Sequence, residues 1–559
     1  MIKMPYNFVP LNEKVYYPQW SGEVSFNYPF SDGISGEIDI KIKAVTPVFV
    51  RDSEKDENDP DKKSEEFCHF VDKEGKKHYF IPGSSVKGMI RNIVEVISYS
   101  KIMCQDKKLS YRKFNRAYKN NMNVNNIYHG WLVVENGEWK IKSLGKVGKS
   151  CRISYKELER ILDRDEVAKI KKAKEAWERY EIVPEMFYHI PSRGVLVFTG
   201  FSGNKKAEFV FSDRIEREYT LKKDVVQNFK DAYYLDNPSL INQNWKKLWS
   251  ERAKRGERIP VFFQIQNGDV KHFGLSMLYK LPYKYSIGDL VKKQQNPKEE
   301  LDFAQTLFGA NEGDMLKGRV FASDFYARNV KRCQTVTLPL STPRPTFYNT
   351  YLVQNKKNRI KTYDDKEAQI KGFKFYPPKK MVQGFDEICT QHPNICTSFK
   401  PLCKDTEFHG KIRFFNLKPQ ELGALISAIN FFGKKGYYHK IGMAKAYGLG
   451  TVEITVNGVK FTSYNQKTYS LNELVKIFVN DIEKALDIKD YFAENRIKNY
   501  LKLHTYVEEC NVKYPPVEKF RRMEKDFQPY LVRDFEEFGG NGGGGFGSEF
   551  KIKPPKRRK

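Results

Sequence analysis

Residues 80–91 read FIPGSSVKGMIR, a stretch in which a strand gives way to a helix. The Pro-Gly pair interrupts the strand, and Ser84 or Ser85 is expected to cap the helix by accepting a bond from a free backbone N–H. Apolar residues then recur at helical spacing and predict a buried face, namely Ile90, Ile93, Val94 and Ile97. The stretch therefore places a capped helix directly after a strand.

The start of this helix is a candidate phosphate site. A helix N-terminus presents free N–H groups and a partial positive charge, which favour a bound anion. Lys87 and Arg91 are four residues apart, so they share one face of the helix and add two cationic side chains to it. The alternative is an ordinary capped helix with two solvated basic residues.

A second cationic motif lies far along the chain, at residues 437–450 (YYHKIGMAKAYGLG), immediately before a predicted strand. Its glycines permit close approach of backbone N–H groups to a phosphate, its rings can stack on bases and its lysines can neutralise phosphates. The predicted RNA contacts are Tyr437, His439, Lys440, Gly442, Lys445, Tyr447, Gly448 and Gly450. The motif is neither a Walker loop nor a dinucleotide fingerprint, and a tight hairpin with incidental charge is the alternative. We expect it to join the helix start in a single cradle for a ribose-phosphate strand.

Composition and charge favour a soluble partner of a polyanion. The 559 residues include 97 Lys+Arg and 69 Asp+Glu, a difference of +28, and 40% are hydrophobic. Such content excludes global disorder, and the charge favours nucleic acid over a membrane surface, with a Lys-rich surface that serves only solubility as the alternative. No apolar run is long enough to span a membrane, no signal peptide is evident, and eight cysteines do not make a disulfide framework, so a cytoplasmic protein is expected.

Two further segments carry candidate sites. The Pro-rich stretch at 338–351 (LPLSTPRPTFYNTY) is expected to be extended, and its rings and Arg344 form either a base-stacking or protein-docking strip or a plain connector. Four soft ligands within fifteen residues predict a structural zinc site, with buried cysteines as the alternative: Cys389, His392, Cys396 and Cys403. No Ser-His-Asp pattern and no HExxH motif occur.

The order of motifs resembles the RAMP superfamily of CRISPR-associated proteins. The resemblance rests on IPGSSVKGMIR at 81–91, LFG at 307–309, GRVFASD at 318–324 and GMAKAYGLGTV at 442–452. The large spacer and LSTPRPTFYNTYL at 340–352 look like a large branch associated with type III systems.

The resemblance implies an α+β fold with a ferredoxin-like, RRM-like core that binds guide RNA within a ribonucleoprotein effector in antiviral defence. CRISPR RNA, other effector subunits and target RNA would be the partners, in a prokaryotic cytoplasm and with no membrane. By carry-over, residues 83–91 would contact the RNA backbone, including Gly83, Ser84, Ser85, Lys87 and Arg91. Arg319 of the GRVFASD motif is a further predicted RNA contact.

The alternative function is a metal-dependent endoribonuclease acting on target or precursor guide RNA. Some family members cut RNA with an aspartate in the loop before IPGSS, using a divalent metal such as Mg²⁺. In this chain that place falls near Glu66, with Asp59 and Asp61 in the same loop, so these three are the candidate catalytic residues. No aspartate occupies the matching position, which departs from the family pattern, and no histidine matches the general acid/base of precursor-processing members.

The same motifs divide the chain into six predicted parts. Residues 1–36 form an N-terminal arm, 37–99 and 300–457 the two parts of the core, and 100–299 an insertion or a second, degenerate RRM-like half. Residues 458–538 are expected to be a helical C-terminal extension, and 539–559 a Gly-rich basic tail that is disordered in isolation.

Overall fold

The structure is a computed structural model in which helices and mainly antiparallel sheets are mixed, so the mixed α and β character of the predicted fold class is confirmed. It describes residues 2–53, 64–104, 107–111, 118, 121–200, 205–233, 242–311, 315–340, 345–354, 360–382, 384–462, 469–507 and 532–533. Asp59, Asp61, Arg344 and the predicted tail at 539–559 lie outside these residues.

The largest sheet, the core sheet, collects strands from both ends of the chain. Its strands are β1 (Ile34–Ala44), β2 (His69–Val71), β3 (Lys77–Ile81), β4 (Val320–Ala322), β5 (Phe325–Arg328), β6 (Glu407–Leu417), β7 (His439–Lys440) and β8 (Thr451–Phe461). Their spatial order is β7-β8-β1-β6-β5-β3-β2, with β4 also paired to β6, and every pairing is antiparallel. The two motifs found in the sequence thus belong to one sheet.

Alternation of apolar residues explains the central strand. In β1 every second residue from Ile34 to Ala44 is buried, and the residues between them are half-buried. Because side chains of a strand point alternately to its two faces, one face of β1 lies in the core and the other faces outward. This alternation also fixes the register in which β1 pairs with its neighbouring strands, because a shift of one residue would turn the isoleucines outward.

The inward face of the core sheet is covered by helices. Helices α1 (Gly83–Ile97) and α2 (Pro419–Asn430) lie against the sheet, whereas α3 (Leu471–Leu486) packs on α2 and α4 (Asn495–Leu503) packs against residues Asn7–Pro10. In α1 the predicted apolar stripe is buried, and in α2 nearly every residue is buried because α3 covers it from outside. The main hydrophobic core lies between these helices and the sheet.

The region between α1 and residue 300 forms two more sheets with their own apolar clusters. One has five strands in the order Arg217–Thr220, Glu138–Lys146, Tyr128–Glu135, Ile259–Gln266 and Asp269–Gly274. The other has four in the order His189–Ile190, Gly194–Val197, Ala207–Phe211 and Arg152–Ser154. The helices of this region are Tyr155–Leu158, Arg164–Lys172, Ala176–Tyr180, Lys223–Tyr233, Ser250–Lys254 and Ile287–Gln295, and a π-helix lies at Trp245–Trp249.

Short elements complete the described part of the chain. The two-stranded pairs are Asn7–Pro10 with Gly372–Phe375, Ser110–Tyr111 with Leu281–Pro282, Gly309–Ala310 with Leu316–Lys317, Val336–Pro339 with Cys396–Phe399, and Ile2–Lys3 with Val532–Arg533. The remaining short helices are Phe303–Phe308, Tyr348–Tyr351 and Asp386–Gln391, and 3₁₀ turns lie at Ser21–Glu23, Pro393–Ile395, Phe431–Gly433, Lys445–Tyr447 and Tyr491–Ala493. No helix in the described ranges has the length and apolar content needed to cross a bilayer.

Candidate nucleic-acid interface

The start of α1 is held differently from the prediction. Pro82 is the N-cap residue, and neither Ser84 nor Ser85 makes a capping bond, so the predicted serine cap is wrong. Instead the Gly83 N–H donates to a side-chain oxygen of Asp324 at 2.9 Å. Asp324 belongs to the GRVFASD motif, so the fold brings two separate sequence motifs together at this helix end.

Gly83 is required for close packing. A Cβ at this position would clash with the backbone carbonyl oxygens of Ala322 and Ser323. Because its N–H is already bonded to a carboxylate, Gly83 does not offer that N–H to a phosphate. Ser84 is exposed and Ser85 is half-buried, so these two residues remain accessible at the helix start.

Lys87 and Arg91 are close enough to interact, as their spacing predicts. Burial, followed by the positive charge of Arg91, lowers the pKa of Lys87. The Lys87 ammonium lies 5.7 Å from the ring centroid of Phe321. Arg91 donates to Glu95 at 3.0 Å, and burial raises the pKa of Glu95 to about 7 despite that partner. Both cations are therefore partly engaged within the protein.

Arg319 is a structural residue. It is fully buried, and its guanidinium donates to the Thr306 carbonyl at 2.9 Å, to the Asn416 carbonyl and to the Glu421 carboxylate. Its predicted contact with RNA disagrees with this placement, because the side chain is fully buried and each of its three guanidinium nitrogens donates to the protein. The motif arginine instead ties β4 to α2 through Glu421.

The rings of the glycine-rich loop are mostly turned inward. His439 is 1% exposed, and its Nε2 lies 2.9 Å from the Ala428 carbonyl, while burial lowers the pKa of His439 to about 4. Tyr447 is 3% exposed and donates its hydroxyl to the Pro339 carbonyl at 2.8 Å. Neither ring is available to stack on a base, which corrects two predicted contacts. Tyr437 is half-buried and packs on Phe431, with ring centroids 5.6 Å apart.

The glycines of this loop serve its backbone conformation. Gly442, Gly448 and Gly450 all have positive φ, at 77°, 93° and 74°. A Cβ on Gly450 would clash with the Ile441 carbonyl oxygen, so only glycine fits there. These residues fold the loop tightly before β8 and are not arranged as an open phosphate cradle.

Lysines do gather at the loop. Lys440 donates to the Leu449 carbonyl and to Thr451 Oγ1, the latter at 3.0 Å. Burial, then the positive charges of Lys379 and Lys445, hold the pKa of Lys440 well below its usual value. Burial also lowers the pKa of Lys445. Three ammonium groups are thus close together, and a bound anion would relieve their mutual repulsion.

The two sequence motifs lie at different positions along the core sheet. The loop joins β7 to β8 at one edge of the core sheet, whereas α1 follows β3 near the other edge. Four strand spacings separate β8 from β3, about 19 Å along the sheet at about 4.8 Å per spacing. The two motifs therefore lie apart on the sheet and are considered below as separate surfaces.

The four predicted zinc ligands are not brought together. Cys389 is disulfide-bonded to Cys396, and Cys403 to Cys333, a residue absent from the predicted set. His392 is exposed. Among the described residues no group of three or more His, Cys, Asp or Glu side chains is placed to hold a metal ion. We call the disulfides Cys333–Cys403 and Cys389–Cys396 the two cysteine pairs. They lie at the two ends of the strand pair formed by Val336–Pro339 and Cys396–Phe399.

Glu66 is surrounded by cations. Its carboxylate lies 2.8 Å from Lys400, 3.0 Å from Arg332 and 3.6 Å from Lys77. Burial opposes its ionisation, but the Lys400 hydrogen bond and the three positive charges hold the pKa of Glu66 below its usual value. A carboxylate already neutralised in this way is poorly suited to bind a divalent metal or to accept a proton. Nothing in the described residues favours the predicted catalytic role.

Most of the chain, including these motifs, matches the model of one known protein family. The model of the RAMP superfamily matches residues 41–453, which include the end of β1, all of α1, GRVFASD and the glycine-rich loop. The chain belongs to the RAMP superfamily. The resemblance seen in the sequence is thereby confirmed, and RAMP proteins are CRISPR-associated and work in RNA–protein complexes with other subunits.

Other comparisons add little to the RAMP assignment. No curated protein matches the chain. The crystal structure of Csc2 from Thermofilum pendens is similar at 11% sequence identity, covering 94% of this chain and 96% of that chain with a TM-score of 0.24.

Sequence reasoning missed three features of this RAMP chain. Asp324 was inside a quoted motif, but its bond to Gly83 depends on tertiary contact. Lys379 lies outside both motifs and comes near Lys440 only in the fold. The outward rings of β3 and β5 could have been found from the alternation in KHYFI and FYAR, where Tyr79, Ile81 and Phe325 are buried and the rings between them are not.

Proposed function

We propose that this RAMP chain holds guide RNA as a subunit of a type III CRISPR effector in a prokaryotic cytoplasm, with CRISPR RNA, target RNA and other effector subunits as partners. The observation that carries the proposal is the family match over residues 41–453. The charge of +28 supports it, because RNA phosphates supply the counter-charge that such an excess attracts.

We also infer that the core is ferredoxin-like. The chain order β1, α1, β5, β6, α2 and β8 and the sheet order β8-β1-β6-β5 support this, since they give a β-α-β-β-α-β unit with antiparallel neighbours. RRM domains use the same arrangement to bind single-stranded RNA. The remaining strands, β2, β3, β4 and β7, extend this unit.

The lysines of the glycine-rich loop are the proposed phosphate contact. Lys445 is half-buried, and Lys440 and Lys379 add two positive charges close by. Each ammonium group loses hydration through burial, so an RNA phosphate would bind here more strongly than at a solvated surface lysine. Binding would also raise the lowered lysine pKa values.

The first experiment is to sequence the nucleic acid that copurifies with the protein and to measure its affinity for single-stranded RNA at several salt concentrations. We expect repeat-derived RNA, and an affinity that falls by about 0.7 log unit per tenfold salt for each phosphate contacted. Absence of both RNA and single-stranded RNA binding would refute the proposal.

The second experiment compares Lys445→Gln with Lys435→Gln. Lys435 is exposed, lies in the segment leading to β7 and undergoes the same change of charge, so it serves as the matched control. We expect Lys445→Gln to weaken RNA binding more than Lys435→Gln. Because binding of RNA raises the lowered lysine pKa, RNA binding is accompanied by proton uptake. The affinity for RNA should therefore fall as the pH rises through the pKa that these lysines have in the RNA-free protein. Equal effects of the two variants would remove the loop from the interface.

The start of α1 is tested separately. Lys87→Glu combined with Arg91→Glu should weaken RNA binding for all sequences alike, because phosphate contacts carry no sequence information. Unchanged binding at physiological salt would exclude this helix face.

A further inference from the structure

Four aromatic side chains form an exposed cluster at one end of the core sheet. We call Phe70, His78, Phe80 and Tyr326 the ring patch. Phe70 and Tyr326 are 45% and 47% exposed, and His78 and Phe80 are half-buried. Large aromatic residues this exposed are uncommon on a soluble surface, and a contiguous group of them indicates a binding site.

The strand register places all four rings on the outward face. Phe70 of β2 lies opposite His78 of β3, and Phe80 lies opposite Tyr326 of β5. Their sequence neighbours Tyr79, Ile81 and Phe325 are 8%, 0% and 0% exposed and face the core. The rings of β3 and β5 are therefore presented outward by strands whose other face lies in the core, and Phe70 is held beside them by the pairing of β2 with β3.

The rings contact one another as a single surface. Phe70 stacks on His78 with centroids 4.9 Å apart and an interplanar angle of 14°. The ring centroid of Tyr326 lies 5.9 Å from that of Phe80 and 6.1 Å from that of Phe70, and the Phe70 and Tyr326 rings have an interplanar angle of 89°. Rings at these separations leave exposed faces and edges on which flat, unpaired bases can pack.

Cationic side chains border the patch. Lys73 and Lys76 lie in the turn between β2 and β3, and Arg328 lies two residues beyond Tyr326 on the same face. All three are exposed, and none makes an ion pair with a residue that the structure describes. Of the carboxylates beside the patch, Asp72 bonds to His78 at 2.6 Å and Glu407 pairs with Lys41 at 3.3 Å, while Glu74 is exposed in the same turn as the two lysines.

We propose that the ring patch binds unpaired bases of single-stranded RNA by stacking, with Lys73, Lys76 and Arg328 contacting the flanking phosphates. Charge complementarity favours RNA over a protein partner here, since three exposed cations border the rings against one exposed carboxylate, Glu74, on a chain of charge +28. Stacking on aromatic faces tolerates any base, as a guide of variable sequence requires. The inference rests on the proposed RNA-binding function and adds a second surface, separate from the glycine-rich loop.

The test uses the full-length double variant Phe70→Leu, Tyr326→Leu, which keeps apolar side chains but removes the flat rings. Affinity is measured for a single-stranded RNA and for an abasic oligonucleotide of equal length and charge. Tyr28→Leu is the control, because Tyr28 is 79% exposed and lies outside the patch. We expect the double variant to bind normal RNA about 5- to 150-fold more weakly, while its binding of the abasic strand and the behaviour of the control stay unchanged.

Each outcome decides between explanations. Failure of the wild-type protein to bind any RNA refutes the proposed function itself. Normal binding by the double variant, or an equal loss on normal and abasic strands, refutes base stacking while leaving RNA binding intact. Loss of association with another protein subunit, with RNA binding unchanged, identifies the patch as a protein-docking surface and also overturns the proposal.

Ultraviolet crosslinking gives a readout that does not depend on a variant folding. Mass spectrometry of the wild-type protein crosslinked to RNA should find the peptides that contain Phe70 and Tyr326. Crosslinks found elsewhere on the chain and absent from both peptides would contradict the inference.

Discussion

Replacing Arg319 by methionine tests whether the motif arginine serves folding or RNA binding. Methionine keeps much of the side-chain volume but removes three hydrogen-bond donations, to the Thr306 carbonyl, the Asn416 carbonyl and the Glu421 carboxylate. Arg319 and Glu421 are both fully buried. The substitution therefore leaves a buried carboxylate without its positive partner.

The expected cost follows from that burial. Removing one partner of a buried ion pair destabilises a protein by about 3–5 kcal/mol, since the remaining charge stays desolvated. Two other bonds to Glu421 persist and limit the loss, from the Thr306 hydroxyl at 2.7 Å and from the Lys418 N–H at 2.9 Å. We therefore expect about 3 kcal/mol.

Native-state hydrogen exchange in α2 and β6 measures this cost, because it reports the local free energy of opening in a chain with several cores. Arg413→Met is the matched control on β6. The Arg413 side chain is 73% exposed and lies 3.7 Å from Glu37, and such a surface pair contributes at most about 1 kcal/mol. The double variant Arg319→Met, Glu421→Leu should recover much of the loss, because no buried charge remains.

RNA affinity per folded molecule supplies the deciding result. A structural Arg319 predicts that affinity is unchanged once the folded fraction is taken into account. Normal exchange protection in α2 together with a loss of RNA binding would refute the structural role and restore Arg319 as an RNA contact.

Three further predictions concern the loop and the cysteines. Gly450→Ala should destabilise the protein by more than about 2 kcal/mol, because the added Cβ would clash with the Ile441 carbonyl oxygen. Gly436 also has a positive φ but has open space around it, so Gly436→Ala should cost only about 1 kcal/mol. Equal urea midpoints for the two variants would contradict this prediction. Burial lowers the pKa of His439 to about 4 and that of His504 to about 3. Below about pH 6.5 the unfolded state therefore binds more protons than the folded state, so stability falls as the pH is lowered. Each histidine should reduce the free energy of unfolding by about 2 kcal/mol between pH 7 and pH 5. A urea midpoint independent of pH over this range would exclude that effect. Peptide mapping without reductant should find the two cysteine pairs linked, and elemental analysis should find no stoichiometric zinc; stoichiometric zinc with free thiols would restore the predicted metal site.

Local patterns predicted the local structure well. The Pro-Gly pair marked the change from strand to helix, since β3 ends at Ile81 and α1 begins at Gly83. Helical spacing gave the buried face of α1. These succeeded because neighbouring residues alone determine which face of a strand or helix is apolar.

Side-chain roles were predicted less well, because they depend on partners distant in sequence. The start of α1 is capped by Asp324, 241 residues away, and not by an adjacent serine. Arg319 is neutralised by Glu421 and His439 is bonded to α2, although both looked like RNA contacts among their sequence neighbours.

The sequence by itself therefore determined the family, the excess positive charge and the faces of the main strands and helices, since these depend on composition and local spacing. Only the tertiary structure decided which charged and aromatic residues reach solvent. Burial and pairing result from contacts among segments hundreds of residues apart, and those contacts turned most of the glycine-rich loop inward while leaving the rings of β2, β3 and β5 exposed.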